Sequence, residues 1–583
     1  MKYYSFNILK REWIKSFIVL KNIGQVRTND LMKIMFYTFV ITILEGIGVT
    51  LILPLLDFVN NAGILEISDS NNKVTNYFIF LIDYIGLPVK FYILSIIIGL
   101  TIGLRQYLNF IQLLILTRVK TNCELNIRNK IFYNTFQSSP NAIENLGNGS
   151  YVELVVQQST RASLFINNVV QYITALVLCI TYALIAVIIS LEVAIITIVL
   201  GIIVIIFSYQ IINKIKNIAK LNVEELKGFS KYLSESYLSW KIIKIYNTYK
   251  YENNRNLKWL KNIRQQDYLV QKGFGISKLF ITLTIVISLL FILNFGISHV
   301  NIETNVLFLL SIMCLRLIPN VMSIVSYQAR ISIAAMSVNR IFDVINSLNK
   351  EKEIDIGKKT FPNKGNIIFK NLSFRYKGTD KYILKKFNAV INRNKVTTII
   401  GPSGVGKTTL IEIIMRLLTP YEGNIFINNT NINEIKLNAF RNNISLLPQT
   451  SIIFDDTISA NIRYGKRNIS DKEIMIAAKL SNAHDFINEL PKKYDSVLGE
   501  RGNSLSGGQI QRIALARLLV SKGNILILDE PTSSLDNEAA NKILDAINNI
   551  KKINKYTIII ISHSKDVIQI SDKIIELKNQ KGF

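Results

Sequence analysis

Long apolar stretches alternate with polar, helix-patterned segments over the first 325 residues, and ordinary globular patterning fills the remainder. A membrane-spanning helix needs about 20 apolar residues in succession. Six segments meet this requirement, namely Met32–Asn60, Val89–Leu116, Asn167–Ser190, Leu191–Ile212, Lys278–Ser298 and Asn305–Tyr327. The pattern therefore predicts an all-α domain of six transmembrane helices over residues 31–345.

The segments between these spans differ in length and charge. Long polar arms follow the second and fourth spans, whereas Ser190 and His299–Thr304 mark short turns. Because cytoplasmic loops are enriched in Lys and Arg, the basic arm from Arg118 to Arg161 predicts that the arms and both termini are cytoplasmic. Residues 1–30 mix basic and apolar positions, which is typical of an amphipathic helix on the membrane surface rather than a signal peptide.

The net charge is +27 over 583 residues. The basic residues are scattered and no nucleic-acid-binding module is recognised, so we predict no nucleic-acid partner. Positive charge beside membrane helices suits cytoplasmic loops and anionic lipid headgroups instead. Cys123, Cys179 and Cys314 are far apart and lack metal-ligand spacing, so we interpret them as packing residues.

Short β-branched runs separated by helical patterns begin after about Lys364, which predicts an α/β domain at 366–583 behind a linker at 346–365. The predicted strands are Ile367–Phe369, Val396–Ile400, Ile425–Ile427, Ile525–Leu528 and Thr557–Ile561.

A phosphate-binding motif directly follows the strand Val396–Ile400. It reads Gly401-Pro402-Ser403-Gly404-Val405-Gly406-Lys407-Thr408, with Thr409 opening a helix. Glycines let backbone N–H groups approach phosphate oxygens, and a helix N-terminus adds partial positive charge. The motif predicts that Lys407 reaches the β- and γ-phosphates of ATP and that the Thr408 hydroxyl binds Mg²⁺.

Two adjacent carboxylates, Asp529 and Glu530, end another apolar strand. Phosphoryl-transfer sites need a carboxylate for Mg²⁺ and a group that orients the attacking water. We assign the first role to Asp529 and the second to Glu530.

The segment Leu505-Ser506-Gly507-Gly508-Gln509 resembles the LSGGQ signature of ABC transporters. With Tyr376, Gln449, Asp536 and His563, it extends the resemblance over about Asn366–Lys578. The resemblance implies a type IV ABC exporter fold, in which six transmembrane helices precede an α/β P-loop NTPase domain.

Family roles follow from this resemblance at the matching positions. Tyr376 would stack on adenine, Gln449 would contact Mg²⁺ and water, and His563 would lie beside the γ-phosphate. Ser506 and Gly508 would bind ATP held by the opposite subunit, with Gly507 and Gln509 in the same motif, and Asp536 would cross the dimer interface. Gly499–Gly502 is similar to an exporter-specific loop.

The length of the arms, apart from any resemblance, predicts that turns near their middles, at Pro140–Leu146 and Ile242–Tyr251, meet the ATP-binding domain. The alternative is that they are ordinary solvent loops.

The motifs depart from the family pattern at Ile510 and Ser564, where basic residues are more usual, but every catalytic group is present. We therefore expect an active Mg²⁺-dependent ATPase coupled to transport. A homodimer is the simplest assembly, although a related chain could supply the second half. The expected location is the bacterial cytoplasmic (inner) membrane.

Charges within the spans give the evidence on the transported substrate. Glu45, Arg105 and Arg316 lie in apolar surroundings, where a charge costs at least about 2.5–3.5 kcal/mol and faces a partner or a watery cavity. Glu45 could pair with Arg105 or Arg316 and fix helix packing. Alternatively, the two arginines could bind a phosphorylated headgroup, since guanidinium groups bind phosphate bidentately.

The surroundings of these three residues also resemble bacterial lipid-linked oligosaccharide flippases. That resemblance implies a polyprenyl-pyrophosphate sugar as substrate. Three alternatives stay open at this point: an exporter of lipid A, phospholipid or hydrophobic drugs; a peptide or bacteriocin exporter; and an ATP-regulated channel or receptor. The six spans exclude a soluble ABC protein acting on ribosomes or DNA unless the apolar runs are cytosolic.

Overall fold

The computed structural model describes residues 2–60, 76, 80, 84, 86, 90–189, 191–298 and 304–578, except 363, 377, 467, 500–501, 503 and 534. Some side chains within these ranges, including most of 191–205, are also outside the description. The chain forms two compact units, Met1–Lys352 and Glu353–Phe583. The division falls inside the segment 346–365, which the sequence predicts as a linker.

The first unit is helical. Its helices are α1 (Lys2–Gly24), α2 (Thr28–Thr50), α3 (Ile52–Asn60), α4 (Phe91–Gln137), α5 (Pro140–Leu146), α6 (Asn148–Glu153), α7 (Ser159–Ile189), α8 (Leu191–Leu238), α9 (Trp240–Ile245), α10 (Tyr249–Ser298) and α11 (Thr304–Lys350). A π-helical turn, Leu154–Gln158, joins α6 to α7.

Five of the predicted spans each fall largely within one long helix, whereas the first, Met32–Asn60, is divided between α2 and α3 at Leu51. Among the described residues, five helical stretches are long and apolar enough to cross a membrane: Thr28–Phe58, Phe91–Gln137, Asn148–Ile188, Tyr249–Phe291 and Asn305–Lys350. The remaining predicted span, 191–212, lies in α8, and most of its side chains are outside the described part of the chain. The predicted turns at Ser190 and 299–303, and most of the loop after α3, are also outside it.

Helices α4, α8, α10 and α11 are much longer than a bilayer crossing requires. They contain 47, 48, 50 and 47 residues. At a rise of about 1.5 Å per residue each is roughly 70 Å long, against a hydrocarbon core of about 30 Å. Their polar halves therefore form the arms that the sequence predicts, with the short helices α5 and α9 at the turns.

Apolar faces of α1, α2, α4, α7 and α11 share one core. Ile34, Ile127, Phe165 and Ile331 are fully buried there. Helix α1 contributes Leu20, which is 2% exposed, so the amino-terminal helix packs on the bundle through one face.

A buried ion pair joins the end of α6 to α11. Glu153 Oε2 lies 2.7 Å from Arg340 Nη2, and the Glu153 side chain is 1% exposed. Gln158 Nε2 donates to Glu153 Oε1 at 2.5 Å across the π-helical turn. The carboxylate is therefore compensated by a cation and an amide, as a buried charge requires.

The second unit contains two sheets. The strands are β1 (Ile367–Phe374), β2 (Leu384–Ile391), β3 (Val396–Ile400), β4 (Glu422–Ile427), β5 (Thr430–Asn431), β6 (Ile444–Leu447), β7 (Ile525–Asp529), β8 (Thr557–Ile561) and β9 (Lys573–Glu576). An antiparallel sheet has the order β2-β1-β4-β5, and a parallel sheet has the order β6-β7-β8-β3-β9.

The helices of this unit pack around these sheets. They are α12 (Lys407–Ile414), α13 (Leu437–Arg441), α14 (Ile458–Arg463), α15 (Asp471–Leu480), α16 (His484–Glu489), α17 (Gly507–Val520), α18 (Asn537–Lys552) and α19 (Lys565–Gln569). Short 3-10 turns form at Ile432–Glu434 and Lys493–Asp495.

Successive side chains along a strand point to opposite faces, and this alternation divides the second unit into two cores. On β7, Leu526 and Leu528 belong to one core, whereas Ile525 and Ile527 belong to the other. The first core contains α17, and the second contains α12 and the antiparallel sheet. Helices α12 and α17 therefore cover opposite faces of the parallel sheet.

Replacing Glu153 by Gln is predicted to destabilise the helical unit. The change leaves Arg340 without its anionic partner in a buried position, and breaking such a pair costs about 3–5 kcal/mol. Thermal unfolding of the purified protein in detergent should show a fall of several degrees. The control is Glu538→Gln on α18, whose exposed pair with Lys542 (2.6 Å) should have little effect; equal midpoints for the two variants would contradict the prediction.

Candidate ATP-binding site

Four neighbouring strands of the parallel sheet end at the same edge, and candidate site residues follow each of them. Gln449 follows β6, Asp529 and Glu530 end β7, His563 follows β8, and Gly401 follows β3. In register, Asp529 pairs with Ile561, and the Glu530 N–H donates to Ile561 O at 2.9 Å. Because the carboxyl ends of parallel strands form the ligand-binding edge of such sheets, residues far apart in sequence meet here.

The phosphate loop depends on glycine backbone angles. Gly404 and Gly406 have φ values of +77° and +103°, which only glycine adopts at low cost. A Cβ at position 406 would lie 2.5 Å from Ile383 Cγ2, so the loop also packs too closely for a side chain. The loop leads into α12, whose N-terminus presents backbone N–H groups to an anion.

Lys407 is folded over this loop and is almost fully buried. Its Nζ donates to Gly401 O at 2.8 Å and to Pro402 O at 3.0 Å. The ammonium is therefore held at the mouth of the glycine loop, beside Pro402 and Ser403, where phosphate oxygens would bind. Thr408 is exposed next to it, whereas Val405 and Thr409 are buried.

Polar groups that follow two neighbouring strands converge on Glu530. Gln449 Nε2 donates to Glu530 Oε2 at 2.9 Å, and His563 Nε2 lies 4.0 Å from Glu530 Oε1. Glu530 has a φ of 45°, a left-handed conformation that is uncommon outside glycine. A strained backbone at a polar cluster is typical of functional sites.

Asp529 and Glu530 are both partly buried. Burial raises the pKa of the Asp529 carboxyl, the charge of Glu530 raises it further, and Lys407 opposes both effects. The two carboxylates have separate surroundings, since Asp529 is under the influence of the lysine and Glu530 is bonded to Gln449 and lies near His563.

The residues at this edge fit a bound Mg²⁺. Asp529 offers a carboxylate, Thr408 a hydroxyl and Gln449 an amide oxygen, all of which are hard oxygen donors. Among the described residues no group of three or more His, Cys, Asp or Glu side chains could hold a metal by itself. Proteins bind Mg²⁺ through one or two carboxylates together with substrate phosphates.

Tyr376 lies beside the first turn of α12. Its hydroxyl is 3.1 Å from Thr409 Oγ1, and its ring meets Phe374 edge-on at 5.1 Å. The ring is 39% exposed, so one aromatic surface remains accessible next to the phosphate loop.

The signature motif forms the N-terminus of α17. Ser506 accepts from the Gln509 N–H at 3.3 Å, and the Gln509 side chain accepts from the Ser506 N–H at 2.9 Å, which is a reciprocal capping box. A Cβ at Gly508 would lie 2.7 Å from Ala539 Cβ, so α18 approaches closely. Asp536 caps α18 by accepting from the Ala539 N–H at 2.7 Å.

The structure thus brings the phosphate loop, Gln449, Asp529, Glu530 and His563 to one edge, with Tyr376 close by. The signature helix lies on the opposite face of the parallel sheet from α12. Of the predicted exporter-specific loop, Gly499 and Gly502 are described, and residues 500–501 are not.

In the first unit, Glu45 forms ion pairs with both Arg105 and Arg316. Both pairings that the sequence offers as alternatives are therefore made by the same carboxylate. Tyr182, which the sequence analysis missed, donates its hydroxyl to Glu45 Oε1 at 2.9 Å. The Glu45 side chain is 13% exposed and that of Arg105 is 19% exposed, whereas that of Arg316 is 42% exposed.

Replacing Glu530 by Gln is predicted to abolish ATP hydrolysis while ATP binding persists. The amide keeps the size of the side chain but cannot accept a proton from water, and general base catalysis contributes about 10²–10⁴-fold. Steady-state hydrolysis and nucleotide binding should be measured on the same preparation, with Glu538→Gln as the matched control. Hydrolysis within a few-fold of the parent would contradict the role given to Glu530.

Comparison with known families identifies both units. The description "ABC transporter transmembrane region" matches residues 29–317, and the description "ABC transporter" matches residues 384–533. These matches confirm that a membrane domain precedes an ATP-binding domain, and they exclude the alternative of a soluble ABC protein.

Named relatives share part of this sequence. An ATP-dependent lipid A-core flippase of Desulfotalea psychrophila is 39% identical over 245 residues, which is 42% of each chain. One from Syntrophus aciditrophicus is 42% identical over 211 residues, or 36% of this chain and 34% of that protein. ABC transporter B family member 2 of Dictyostelium discoideum is 40% identical over 215 residues, or 37% of this chain and 15% of that protein. The matched part is less than half the length of each relative.

A solved structure described as a bacterial Atm1-family ABC exporter with ATP bound has the same fold. The TM-score is 0.77 over 95% of both chains, at 20% sequence identity. With its helical membrane region joined to an ABC ATP-binding domain in one polypeptide, the chain belongs to the ABC transporter family and has the fold of an ABC exporter.

Proposed function

We propose that the chain is one subunit of an ATP-hydrolysing exporter that moves an amphipathic substrate across the bacterial cytoplasmic (inner) membrane. The observation that carries this proposal is the convergence of the phosphate loop, Asp529, Glu530, Gln449 and His563 at one sheet edge, in a chain with an ABC transmembrane region. The termini and the ATP-binding domain would be cytoplasmic, where ATP is available.

In this proposal the parts of the site divide the chemistry of phosphoryl transfer. The loop and Lys407 hold the phosphates, and Tyr376 offers its ring to adenine. Thr408, Gln449 and Asp529 would hold Mg²⁺, which neutralises charge on the phosphates when bound. Glu530 orients the attacking water, and His563 acts beside the γ-phosphate.

The division of the sheet supports a homodimer. The signature residues Ser506, Gly507 and Gly508 are on the face opposite α12, so the signature of one copy would complete the site of a second copy. The turn at α9 offers an exposed apolar surface, since Trp240 and Ile245 are 51% and 79% exposed. In a dimer, the ATP-binding domain of the second copy could dock on this surface.

The charge cluster in the spans supports a substrate with an anionic headgroup. One carboxylate, Glu45, faces two guanidinium groups, so this cluster keeps one excess positive charge. Arg316 is the more exposed of the two arginines and is therefore the better candidate for binding substrate. We propose a lipid-linked oligosaccharide, whose pyrophosphate would bind between the Arg316 side chains of a dimer.

The names of two relatives favour a second candidate, a lipid A-type glycolipid. Both candidates are amphipathic lipids with a phosphorylated, sugar-bearing head, and the first carries a pyrophosphate. Transport of each lipid in the same assay therefore separates them.

The test is ATP-dependent flipping of a fluorescent polyprenyl-pyrophosphate oligosaccharide in proteoliposomes. We expect flipping by the parent, none by Glu530→Gln, and a loss of about tenfold or more with Arg316→Ala, because hydrogen bonds to charged groups contribute about 1.5–3 kcal/mol. Arg316→Ala leaves Glu45 paired with Arg105, so the packing contact between helices is retained. Arg330→Ala, an exposed arginine on the same helix, is the matched control and should flip normally.

Normal ATP hydrolysis without flipping would reject the sugar-lipid substrate and leave the exporter. The same assay with a fluorescent lipid A analogue would then test the second candidate. Equal flipping by Arg316→Ala and Arg330→Ala would remove the assigned role of Arg316.

A further inference from the structure

The segment that leaves the last membrane helix is held along its length on both sides of the unit boundary. We call residues Glu351–Lys359 the linker strap. Its first two residues belong to the helical unit and its other seven belong to the ATP-binding unit. The two sides are described separately below because each makes its own set of hydrogen bonds.

On the helical side, the strap is bonded to the residues that open the first cytoplasmic turn, α5. The Ser139 N–H donates to Glu351 O at 2.8 Å, and Ser138 forms a β-bridge with Lys352. The Ser139 hydroxyl donates to Glu351 Oε2 at 3.2 Å and accepts from the Ala142 N–H at 3.4 Å. Ser139 therefore caps α5 and binds the strap with the same hydroxyl group.

On the ATP-binding side, a bidentate pair of hydrogen bonds holds the strap. Arg441 donates to both Glu353 carboxylate oxygens at 2.7 Å. Two parallel charge-assisted bonds fix orientation as well as position. Asp355 adds a bond, since its Oδ2 accepts from the Leu437 N–H at 2.9 Å.

The end of the strap pairs with backbone next to α13. The N–H groups of Lys358 and Lys359 both donate to Glu434 O at 2.8 Å, and the Lys436 N–H donates to Lys359 O at 2.9 Å. A Cβ at Gly357 would lie 2.1 Å from Ile435 O, so only glycine allows this close approach.

Bonded residues on the two sides are consecutive in the chain, since Lys352 pairs with Ser138 and Glu353 binds Arg441. The next residues alternate as an extended strand does: Glu353 and Asp355 bond to the ATP-binding unit, and Ile354 and Ile356 are 79% and 70% exposed. A flexible tether between domains is instead a run of unbonded residues.

We propose that the linker strap, through its covalent continuity and its bonds on each side, transmits movement of the ATP-binding unit to the first cytoplasmic turn of the same chain, with Ser139 and Arg441 as positioning residues. The proposal rests on the proposed ATP-driven export. It adds a covalent route of coupling within one subunit, beside any contact that the turns make with ATP-binding domains.

The first test lengthens the strap without removing its bonds. Two glycines are inserted between Lys352 and Glu353 in the full-length protein. Spin labels are attached at one exposed position per experiment, either Asn145→Cys on α5 or Lys472→Cys on α15. The distance between the two equivalent labels of the dimer is then measured. The three native cysteines are replaced by alanine, and Glu530→Gln holds the ATP-bound state. The parent without the insertion is measured first.

In the parent, ATP should shift both label distances. With the insertion, ATP should still shift the Lys472 pair, and the shift of the Asn145 pair should be lost. If the Asn145 pair still shifts fully, the strap is not a mechanical connection. If neither pair shifts in the parent, ATP-driven closure itself is absent, and the proposed function fails together with the strap.

Substitutions at Ser139 separate capping from coupling. Ser139→Asp keeps an acceptor for the Ala142 N–H but places a second carboxylate against Glu351, whereas Ser139→Ala removes both bonds. We expect both variants to lose most ATP-driven flipping while hydrolysing ATP within about twofold of the parent. The control is Ser470→Ala, which removes the cap of α15 and should flip substrate normally. Normal flipping by Ser139→Asp would reduce Ser139 to a helix cap and overturn its positioning role.

Discussion

The geometry of one parallel sheet determines how this chain can use ATP. Its strands all end at one edge, which brings Gln449, Glu530 and His563 together although they are widely separated in sequence. Its side chains alternate between two faces, which separates the phosphate loop helix from the signature helix. In the proposed function, one chain assembles the groups for hydrolysis and a second chain supplies the signature, so ATP chemistry would require the assembly of two subunits.

The membrane region is governed by a different constraint, because charges there must be compensated. Glu45 is bonded to Arg105, Arg316 and Tyr182, which joins four helices through one carboxylate. The cluster is structural and still leaves an excess positive charge with one accessible guanidinium. Packing and substrate binding are thus compatible roles for the same residues, with Arg105 serving mainly the first and Arg316 proposed for the second.

The sequence predicted the elements whose patterns are continuous. Val396–Ile400 and Thr557–Ile561 have the predicted bounds because both are β-branched runs at the centre of the sheet. Leu384–Ile391 and Lys573–Glu576 escaped prediction because edge strands carry polar residues and lack that pattern.

The site motifs were found from spacing, whereas the faces of the sheet on which α12 and α17 lie depend on packing between distant elements. The partners of Glu45 were undetermined because helix rotation is not encoded in span hydropathy, and Tyr182 resembled an ordinary packing residue.

Mixed dimers test most directly whether two copies share each ATP site. Both subunits of each dimer carry Glu530→Gln and differ in their purification tags. Lys407→Ala and Ser506→Arg are then placed either together in one subunit or separately, one in each subunit. The ATP that stays bound to the dimer after gel filtration is measured. Shared sites predict that the split arrangement retains ATP, because one phosphate loop and one signature remain intact and face each other, while the arrangement with both changes in one subunit retains none. The opposite result, with ATP retained only when both changes are in one subunit, would show that each chain closes its own site and would contradict the account.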